Sequence, residues 1–582
     1  METGFSHVYH VIHRTQAAAS RRTGGGEGEE LPMATATTSV ESPDDNDTGR
    51  LENASTLRVV LIIVAIVAST EIVPFHFTFI SLSARFIGES FPEQNAGQLT
   101  WLTTLYSLIG GVAVPVFGKL SDLVGKKKII LFCLLLSILG CLIDALTSNW
   151  TLMLLGRGLQ GLAFPAIFVS YGLIRDLAPR RHLNMAIALA GGGTGVGAIL
   201  GPVIGGLLTD HYSWRSLFWF CVIWTVVTIL PLALLVPETK LRAKVKIDLL
   251  GAVLLGAGIA GVLIYLSNGA TWGWGELSAL AWLIGGVVLL MAFYVWELIT
   301  PEPIMDPKLL RAPRFAGILA AAFLSVGVMQ GLSYAMGYLA ETPGGAEGEA
   351  IKKQIVDGAA AEAAKQASEQ MHIQVPTSAV TQYFSVEGTL PGFGLTLLQF
   401  TVQAMLGLAL VYVLVAPLCG WMSTRIGLLK PYLASTIAFV IGCLLFARFH
   451  DSVWQMALIA LIVGVGAGAY LGTLPNMVVE AVPQEQQGIS AGMYGAFNSF
   501  GTAAATAAVA AVMSANPLIL HINAPGHVEE RKLNSGPLAQ LPDGAAYTNI
   551  FYVFAGASAL AFVLALLLLR YYNRPSTGGT AH

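Results

Sequence analysis

Charged side chains inside long apolar runs are the residues of this sequence best suited to chemistry. Glu71, Asp144 and Arg157 each lie within such a run. An ionisable group inside a membrane-length segment is costly unless it is paired or solvated, so it marks a functional site by default. A buried carboxyl group can bind and release a proton when burial and a nearby cation have opposing effects on its ionisation. We therefore predict that these three residues take part in proton coupling.

Each of these residues also has a structural interpretation, which the sequence leaves open. Glu71 could form only a hydrogen bond to a neighbouring helix, and Arg157 could extend its charged end to a membrane interface. Asp144 lies near the outer end of its apolar run, so it could be an interfacial residue or a second proton site. Gln160 lies one helical turn after Arg157 and could extend a polar path from it.

The composition indicates a membrane protein. The chain has 582 residues, of which 54% are hydrophobic and 12% are charged, whereas soluble proteins average about 25% charged residues. The net charge of −3 gives no reason to expect a nucleic-acid partner. The five cysteines lie in apolar runs without the spacing of a metal or redox site, so no metal and no cofactor is expected.

The apolar runs predict an all-α integral membrane protein. A membrane-spanning helix needs about 20 apolar residues, and fourteen segments meet that requirement. The predicted spans are 57–83, 99–118, 129–147, 151–174, 184–209, 216–236, 248–267, 277–297, 315–340, 395–418, 431–449, 453–480, 489–513 and 548–570. Lys and Arg collect between alternate spans, and these residues favour the cytoplasmic side. We therefore expect a multi-pass protein of the plasma (inner) membrane with both termini in the cytoplasm.

The spans group into two six-helix halves with two helices inserted between them. The predicted parts are a disordered cytoplasmic tail, an N-terminal half, a pair of linker helices, a C-terminal half and a cytoplasmic C-terminal tail. They cover 1–55, 56–236, 237–314, 315–570 and 571–582, respectively.

Two long extracytoplasmic segments, 341–394 and 514–547, lie within the second half. The first contains an Ala-rich stretch that predicts a soluble helix. We interpret both segments as decorations of the fold. The alternative is a lid or a docking surface, with an extracytoplasmic partner at 341–394.

Two stretches repeat at equivalent places in the predicted halves. GKLSDLVGKKK, residues 118–128, follows the second span, and GWMSTRIGLLK, residues 420–430, follows the tenth. Both are interpreted as loops, and the second has Thr424 where the first has Asp122. Transporters are commonly built from internal repeats of this kind.

Several motifs resemble those of the major facilitator superfamily. The stretch 118–128 is similar to the motif between its second and third helices, although Leu123 stands where an Arg is usual. RGLQG (157–161) resembles its fourth-helix motif, GVGAILGPVIGG (195–206) resembles its antiporter fifth-helix motif, and 474–493 resembles a junction of its fourteen-helix drug:proton antiporter branch. The matching motif residues are Gly118, Asp122, Gly125, Lys126, Lys127, Gly197, Gly201, Pro202, Gly205 and Gly206.

The resemblance covers about 57–570 and implies the major facilitator fold. It also implies that Asp122 contacts the helix that begins near Gly488 and so closes the two halves on the cytoplasmic side. Gly118 and Gly125 would permit close approach there, while the lysines could meet anionic lipid headgroups. In the antiporter motif, glycines four residues apart would form a packing groove, and Pro202 would kink the helix.

The function that this resemblance implies is proton-coupled secondary transport. The protein would export amphipathic or cationic drugs and other toxic compounds by alternating access, with small molecules and protons as substrates and membrane lipids around it. The alternative is export of an endogenous lipid, peptide or metabolite by the same fold. An enzyme is not expected, and the sequence has no phosphate-binding GxxxxGK[ST] loop for ATP.

Overall fold

The structure is a computed structural model that describes residues 51–52, 54–179, 197, 200–240, 247–482, 487–525, 527–533 and 537–572. Within this part of the chain, thirteen helices are long and apolar enough to cross a membrane, which confirms the predicted all-α membrane fold. The remaining predicted span, 184–209, begins outside the described residues, and the chain is helical over 200–211. Nearly all of the predicted tail 1–55 and most of 571–582 also lie outside them.

Among the described residues, eleven helices lie within 56–299, the range of the predicted first half and of the two helices predicted to be inserted after it. They are α1 Thr56–Thr70, α2 Ile72–Glu89, α3 Ala96–Leu99, α4 Trp101–Val124, α5 Lys126–Leu146, α6 Trp150–Gly161, α7 Pro165–Leu177, α8 200–211, α9 Arg215–Leu235, α10 Leu249–Trp272 and α11 Leu277–Ile299. Helices α10 and α11 correspond to the two helices predicted to be inserted and are called the inserted pair below.

The rest of the described chain adds ten further helices and a small sheet. These elements are α12 Pro307–Arg311, α13 Pro313–Glu341, α14 Gly345–Met371, α15 Thr377–Thr381, β1 Phe384–Glu387, α16 Leu397–Phe400, α17 Leu406–Ile426, α18 Leu429–Arg448, α19 Val453–Ala481, α20 Gln487–Ala515, β2 Ile519–Ala524, β3 His527–Lys532 and α21 Gly544–Tyr572. A π-helical turn at Thr401–Met405 joins α16 to α17, and a 3₁₀ turn, Pro537–Gln540, precedes α21.

The two repeated stretches are mostly helix, so their interpretation as loops was wrong. Helix α4 continues to Val124, and α5 begins at Lys126, which leaves Gly125 as the connection. Gly125 has φ 126° and Gly427 has φ 85°, in the region that favours glycine because it lacks a Cβ. Their N–H groups donate at 3.0 Å to the carbonyl oxygens of Ser121 and Ser423, respectively. The two stretches therefore share one local geometry.

The two long segments of the second half meet in a three-stranded antiparallel sheet that the sequence analysis did not predict. Strand β1 of the first segment pairs with β2 of the second, with Phe384 opposite Ile522, and β2 pairs with β3. The Ala-rich stretch forms helix α14, as predicted. We call this face of the molecule the sheet end and the face formed by residues 118–128 the lysine end.

The first half packs against the second through α4, with contacts from Thr104 to Pro115. Methyl groups built on Gly111 and Gly492 would lie 2.7 Å from Cδ1 of Phe500 and 3.9 Å from Cα of Pro115, respectively. Nearer the sheet end, the hydroxyl oxygens of Thr104 and Thr506 are 2.8 Å apart. Small residues in α4 and α20 allow this approach, as is typical of membrane helices, where packing rather than the hydrophobic effect drives association.

At the sheet end, side chains tie the halves together through main-chain carbonyls. Nε2 of Gln540 donates to the carbonyl oxygens of Gly88, Phe91 and Gln94 at 2.8, 3.2 and 3.0 Å. Nη1 of Arg85 donates to the carbonyl oxygen of Glu341 at 2.6 Å. One buried amide therefore binds three carbonyls at and just after the end of α2.

Replacing Gln540 with Ala should loosen the sheet end. The change leaves three carbonyl oxygens without this donor, and losing a partner of a buried polar group costs about 1–3 kcal/mol. We expect a lower thermal unfolding midpoint for the purified protein in detergent. Gln382→Ala is the matched control, because Gln382 is exposed in the same layer. Equal midpoints for the two variants would contradict the assignment of Gln540 as a tie between the halves.

Candidate functional site

Arg157 lies in the interior of the first half. Its helix, α6, begins after Asn149, whose side chain accepts a hydrogen bond from the N–H of Leu152 at 3.1 Å and so caps the helix. The helix ends at Gly161, before α7 starts at Pro165. Arg157 is fully buried, so the alternative in which it extends to an interface is wrong for this structure.

The guanidinium of Arg157 is held by groups from three helices. Nε donates to the carbonyl oxygen of Leu102 at 2.8 Å, Nη1 donates to Oε1 of Gln160, and Nη2 donates to the carbonyl oxygen of His76 at 3.5 Å. The ring of Tyr106 lies beneath the guanidinium, 4.8 Å from centroid to Cζ. A buried cation is stable only when its donors are satisfied in this way.

Asp144 belongs to the same network. Nε2 of Gln160 donates to Oδ2 of Asp144 at 2.8 Å, so Gln160 bridges the guanidinium and the carboxyl group. Asp144 is fully buried, although it lies two residues before the end of α5. Its Oδ1 has no hydrogen-bond partner among the described residues. The hydrogen bonds of Gln160 therefore connect the guanidinium of Arg157 to the carboxyl group of Asp144.

Glycines make room for this carboxyl group. A methyl group built on Gly156 would overlap Oδ1 of Asp144, and one built on Gly140 would lie 2.6 Å from the carbonyl oxygen of Gly156. Helices α5 and α6 can approach each other closely because both positions lack a side chain. Both the packing against these glycines and the hydrogen bond from Gln160 therefore position Asp144.

Glu71 occupies the junction between α1 and α2 rather than the middle of one continuous helix. Pro74 has no N–H to donate to the carbonyl oxygen of Thr70, which weakens the helix at this point. Glu71 is buried, and its Oε2 has no hydrogen-bond partner among the described residues. The described residues show no contact between its side chain and Arg157. The two sites are linked through α2, because Arg157 bonds to the carbonyl of His76.

The predicted glycine groove exists and holds α2. Methyl groups built on Gly201 and Gly205 would lie 3.2 Å from side-chain carbons of Thr78 and Phe79, and Gly197 faces Glu71. Gly206 faces the second half, where a methyl group would lie 2.6 Å from Cα of Leu398.

The carbonyl oxygen of Pro202 connects α8 to the second half. It accepts a hydrogen bond from the hydroxyl of Thr401 at 3.1 Å. Helix α8 therefore contacts the Glu71 helix on one side and the second half on the other. The residues of the antiporter motif before Gly197, and the two after it, lie outside the described residues.

At the lysine end, Lys126 is the central group of an ion-pair network. Its Nζ lies 2.7 Å from Oδ2 of the buried Asp176 and 3.2 Å from Oδ1 of Asp122, whose side chain is 46% exposed. The described ion pair of Asp122 is thus with its own stretch rather than with the helix near Gly488. Asp176 was not predicted, because it lies fifty positions away from Lys126.

Two further details of this end differ from the prediction or were missed. A methyl group on Gly118 would have no heavy atom of another described segment within 4 Å, and residues 483–486, before the helix that it was predicted to approach, lie outside the described residues. The carboxylate of Glu238 accepts the N–H groups of Lys127 and Lys128 at 3.0 Å each. This places an anion at the start of α5, where the helix dipole favours it. Nζ of Lys127 donates to the carbonyl oxygen of Ala233.

One cluster of potential metal ligands lies beside the Arg157 network. The ligand atoms of His76, Cys141 and Cys221 lie within 4.8 Å of one another, and both cysteines are free. Nε2 of His76 is 2.7 Å from the hydroxyl oxygen of Ser137, which already gives that nitrogen a partner. The cluster was invisible in the sequence because its members lie on three different helices.

Comparison with known proteins identifies the family. The model of the Major Facilitator Superfamily matches residues 60–347 and 318–581. The chain belongs to the Major Facilitator Superfamily. Its members are transporters rather than enzymes, in agreement with the prediction that this protein is not an enzyme.

Individual relatives of this superfamily protein are distant. The chain is 30% identical over 266 residues to "Uncharacterized MFS-type transporter Rv1877" of Mycobacterium tuberculosis, covering 45% of this chain and 37% of the relative. It is 27% identical over 232 residues to "Multidrug resistance protein 3" of Bacillus subtilis, covering 40% and 45%. The chain therefore spans less than half the length of these two relatives. A peptide transporter POT in complex with sulfate has a similar fold, with TM-score 0.56 at 12% identity over 91% of this chain and 98% of that one.

Replacing Gly156 with Ala should displace Asp144. The added methyl group overlaps the carboxyl oxygen, and overpacking of this kind costs about 1–3 kcal/mol. We expect a lower thermal midpoint in detergent. Gly158→Ala in the same helix is the matched control, because its methyl group would meet only the flexible end of Ile109, at 3.0 Å. If Gly156→Ala proved as stable as this control, the packing argument would be wrong.

Proposed function

We propose that this superfamily member is a proton-coupled exporter of amphipathic or cationic compounds, of the fourteen-helix drug:proton antiporter branch, that works by alternating access. Both termini would be cytoplasmic in the plasma (inner) membrane. The multidrug resistance protein among its relatives and the motif resemblance both favour this assignment. The lysine end would then face the cytoplasm.

The observation that carries the proposal is a buried carboxyl group joined to a buried cation. Asp144, Gln160 and Arg157 form a continuous hydrogen-bonded path in which one oxygen of Asp144 has no described partner. Protonation of that oxygen neutralises Asp144 and leaves Arg157 without its counter-charge, so the two protonation states favour different arrangements of the surrounding helices. That difference is what coupling requires.

Glu71 would give the same half a second proton-binding group, at the helix break. It faces Gly197 of the antiporter motif, and the same glycine-rich helix bonds to the second half through Pro202. A proton on Glu71 therefore changes the charge at a contact that extends from α2 to the second half. Substrate binding could displace that proton, and the halves would then rock about a central site.

Neutralising the proton sites should abolish coupling. In inside-out vesicles with an acidic interior, adding a transported cation should dissipate the pH gradient reported by a pH-sensitive dye. We expect Glu71→Gln and Asp144→Asn to lower that flux by about tenfold or more, which corresponds to about 1.4 kcal/mol of barrier.

Glu276→Gln is the control for this experiment, because Glu276 is an exposed carboxylate on the inserted pair. Full flux in both site variants, with protein amounts and folding matched, would rule out coupling through these carboxyl groups. A wild-type protein that responds to no compound in a panel of lipophilic cations and neutral drugs would favour the second candidate instead.

The second candidate is export of an endogenous lipid, peptide or metabolite. The observation that favours it is the layer at the sheet end, in which two separate segments build one sheet and a 27-residue helix. Such a layer offers a surface for a large substrate or a partner, which the export of small drugs does not need.

Removing α14 should separate the two candidates. Replacing Gly345–Met371 with a Gly/Ser linker keeps β1 and its pairing with β2, unlike deletion of the whole segment. We expect drug-driven proton flux in vesicles to change by less than about twofold, because removing a surface layer should change the free-energy barrier of transport little. Loss of flux from protein that still folds would favour the second candidate, and Gln382→Ala serves as a control for disturbance of the layer.

A further inference from the structure

A pair of carboxyl groups lies on the inserted helices, outside the sites described above. Asp248 precedes α10, and Glu297 lies near the end of α11. Both are more than nine-tenths buried. A methyl group built on Gly251 would lie 2.9 Å from Oε1 of Glu297 and would overlap Oδ2 of Asp248. The two carboxyl groups therefore border the same small space.

The two carboxyl groups differ in their hydrogen bonds. Asp248 accepts from the N–H of Gly251 at 2.8 Å and from Nε1 of Trp296 at 2.9 Å, as suits an ionised carboxylate. Oε2 of Glu297 accepts from the N–H of Met305 at 3.0 Å. Oε1 of Glu297 is buried and has no hydrogen-bond partner among the described residues. A negative charge on this oxygen would be buried without a donor beside another carboxylate, which is costly.

A cation from the first half adjoins the pair. Nζ of Lys119 donates to the carbonyl oxygens of Glu302 at 2.7 Å and Pro303 at 2.9 Å, in the chain just after α11. Its charge interacts with those of Asp248, Glu297 and Glu302. Lys119 lies on α4, so a movement of α4 relative to the inserted pair changes the distance between this cation and the two carboxyl groups.

We propose that Asp248 and Glu297 together bind one exchangeable proton, with Lys119 as the neighbouring cation. The proton sits on Oε1 of Glu297 and points to Oδ2 of Asp248, which leaves one negative charge on the pair. It comes from water at the lysine end, where the exposed Asp122 lies one helical turn from Lys119. Withdrawal of Lys119 favours uptake of this proton, and its return favours release.

This site gives the inserted helices a role in the motion of the halves. Helix α10 contacts α4, since a methyl group on Gly256 would lie 3.3 Å from Cγ2 of Val112. It also contacts α20, because Leu263 packs in one cluster with Ala503 and Ala507. Helix α10 therefore lies between α4 and α20. If these helices move relative to each other, as the proposed alternating access requires, the carboxyl pair is well placed to exchange a proton.

Infrared spectroscopy of the full-length protein in lipid nanodiscs tests the site without any transport assay. In the difference spectrum between high and low pH, we expect a carbonyl-stretch band of a protonated carboxyl group that Glu297→Gln removes and Asp248→Asn shifts. The matched control is Glu276→Gln, which removes a carboxylate from the exposed end of the same helix pair and should leave the band unchanged. Other buried carboxyl groups contribute equally to all of these spectra.

Three results would overturn the proposal. The first is an unchanged band in Glu297→Gln, which would mean that the pair stays ionised. The second is a band abolished by sodium ions at constant pH, which would make this a site for metal cations. The third comes from another variant.

If Glu297→Gln fails to fold, Lys119→Gln decides the question. Removing the cation should let the protonated band persist to higher pH, and a band that titrates as in the wild type would be the third contrary result.

Discussion

The buried charge of Arg157 is the constraint on which the arrangement of the first half depends. A guanidinium inside a membrane protein must have its donors satisfied by groups that stay in place. Here they are the carbonyl oxygens of Leu102 and His76 and the side chain of Gln160. Because these groups belong to three helices, one side chain fixes the relative positions of α2, α4 and α6. Asp144 joins this network through Gln160, whose Nε2 donates to its Oδ2.

Glycines decide how closely the helices around that charge can approach. Gly140 and Gly156 bring α5 against α6, and the antiporter motif brings α8 against the helix that carries Glu71. The two proton-binding groups proposed in the first half therefore each lie beside a glycine, Asp144 at Gly156 and Glu71 at Gly197. In each case one carboxyl oxygen has no hydrogen-bond partner among the described residues.

The sequence predicted features that depend on local composition and missed those that depend on distant pairing. Apolar runs of membrane length located the spans, and single charges within them located Glu71, Asp144 and Arg157. Hydrophobicity could not show that α4 continues through polar residues to Val124, because helix geometry tolerates them at the membrane surface. Nor could any local pattern pair Lys126 with Asp176, or β1 with a strand more than a hundred residues later. Such pairings are set by the packing of whole helices.

The two repeated stretches share a backbone conformation but differ in their side-chain contacts. Gly125 and Gly427 have the same role, but the residues that follow them differ. Lys126 forms ion pairs, whereas Leu428 is a buried apolar side chain. In the second stretch the nearby cation, Arg425, stacks instead on Trp421, at 4.2 Å from the ring centroid. The turn therefore does not need the charges. Among the described residues of the two stretches, only the first forms ion pairs. Lys119 of the same stretch also bonds to the chain after the inserted helices. The charge contacts described at the lysine end are therefore made by the first stretch.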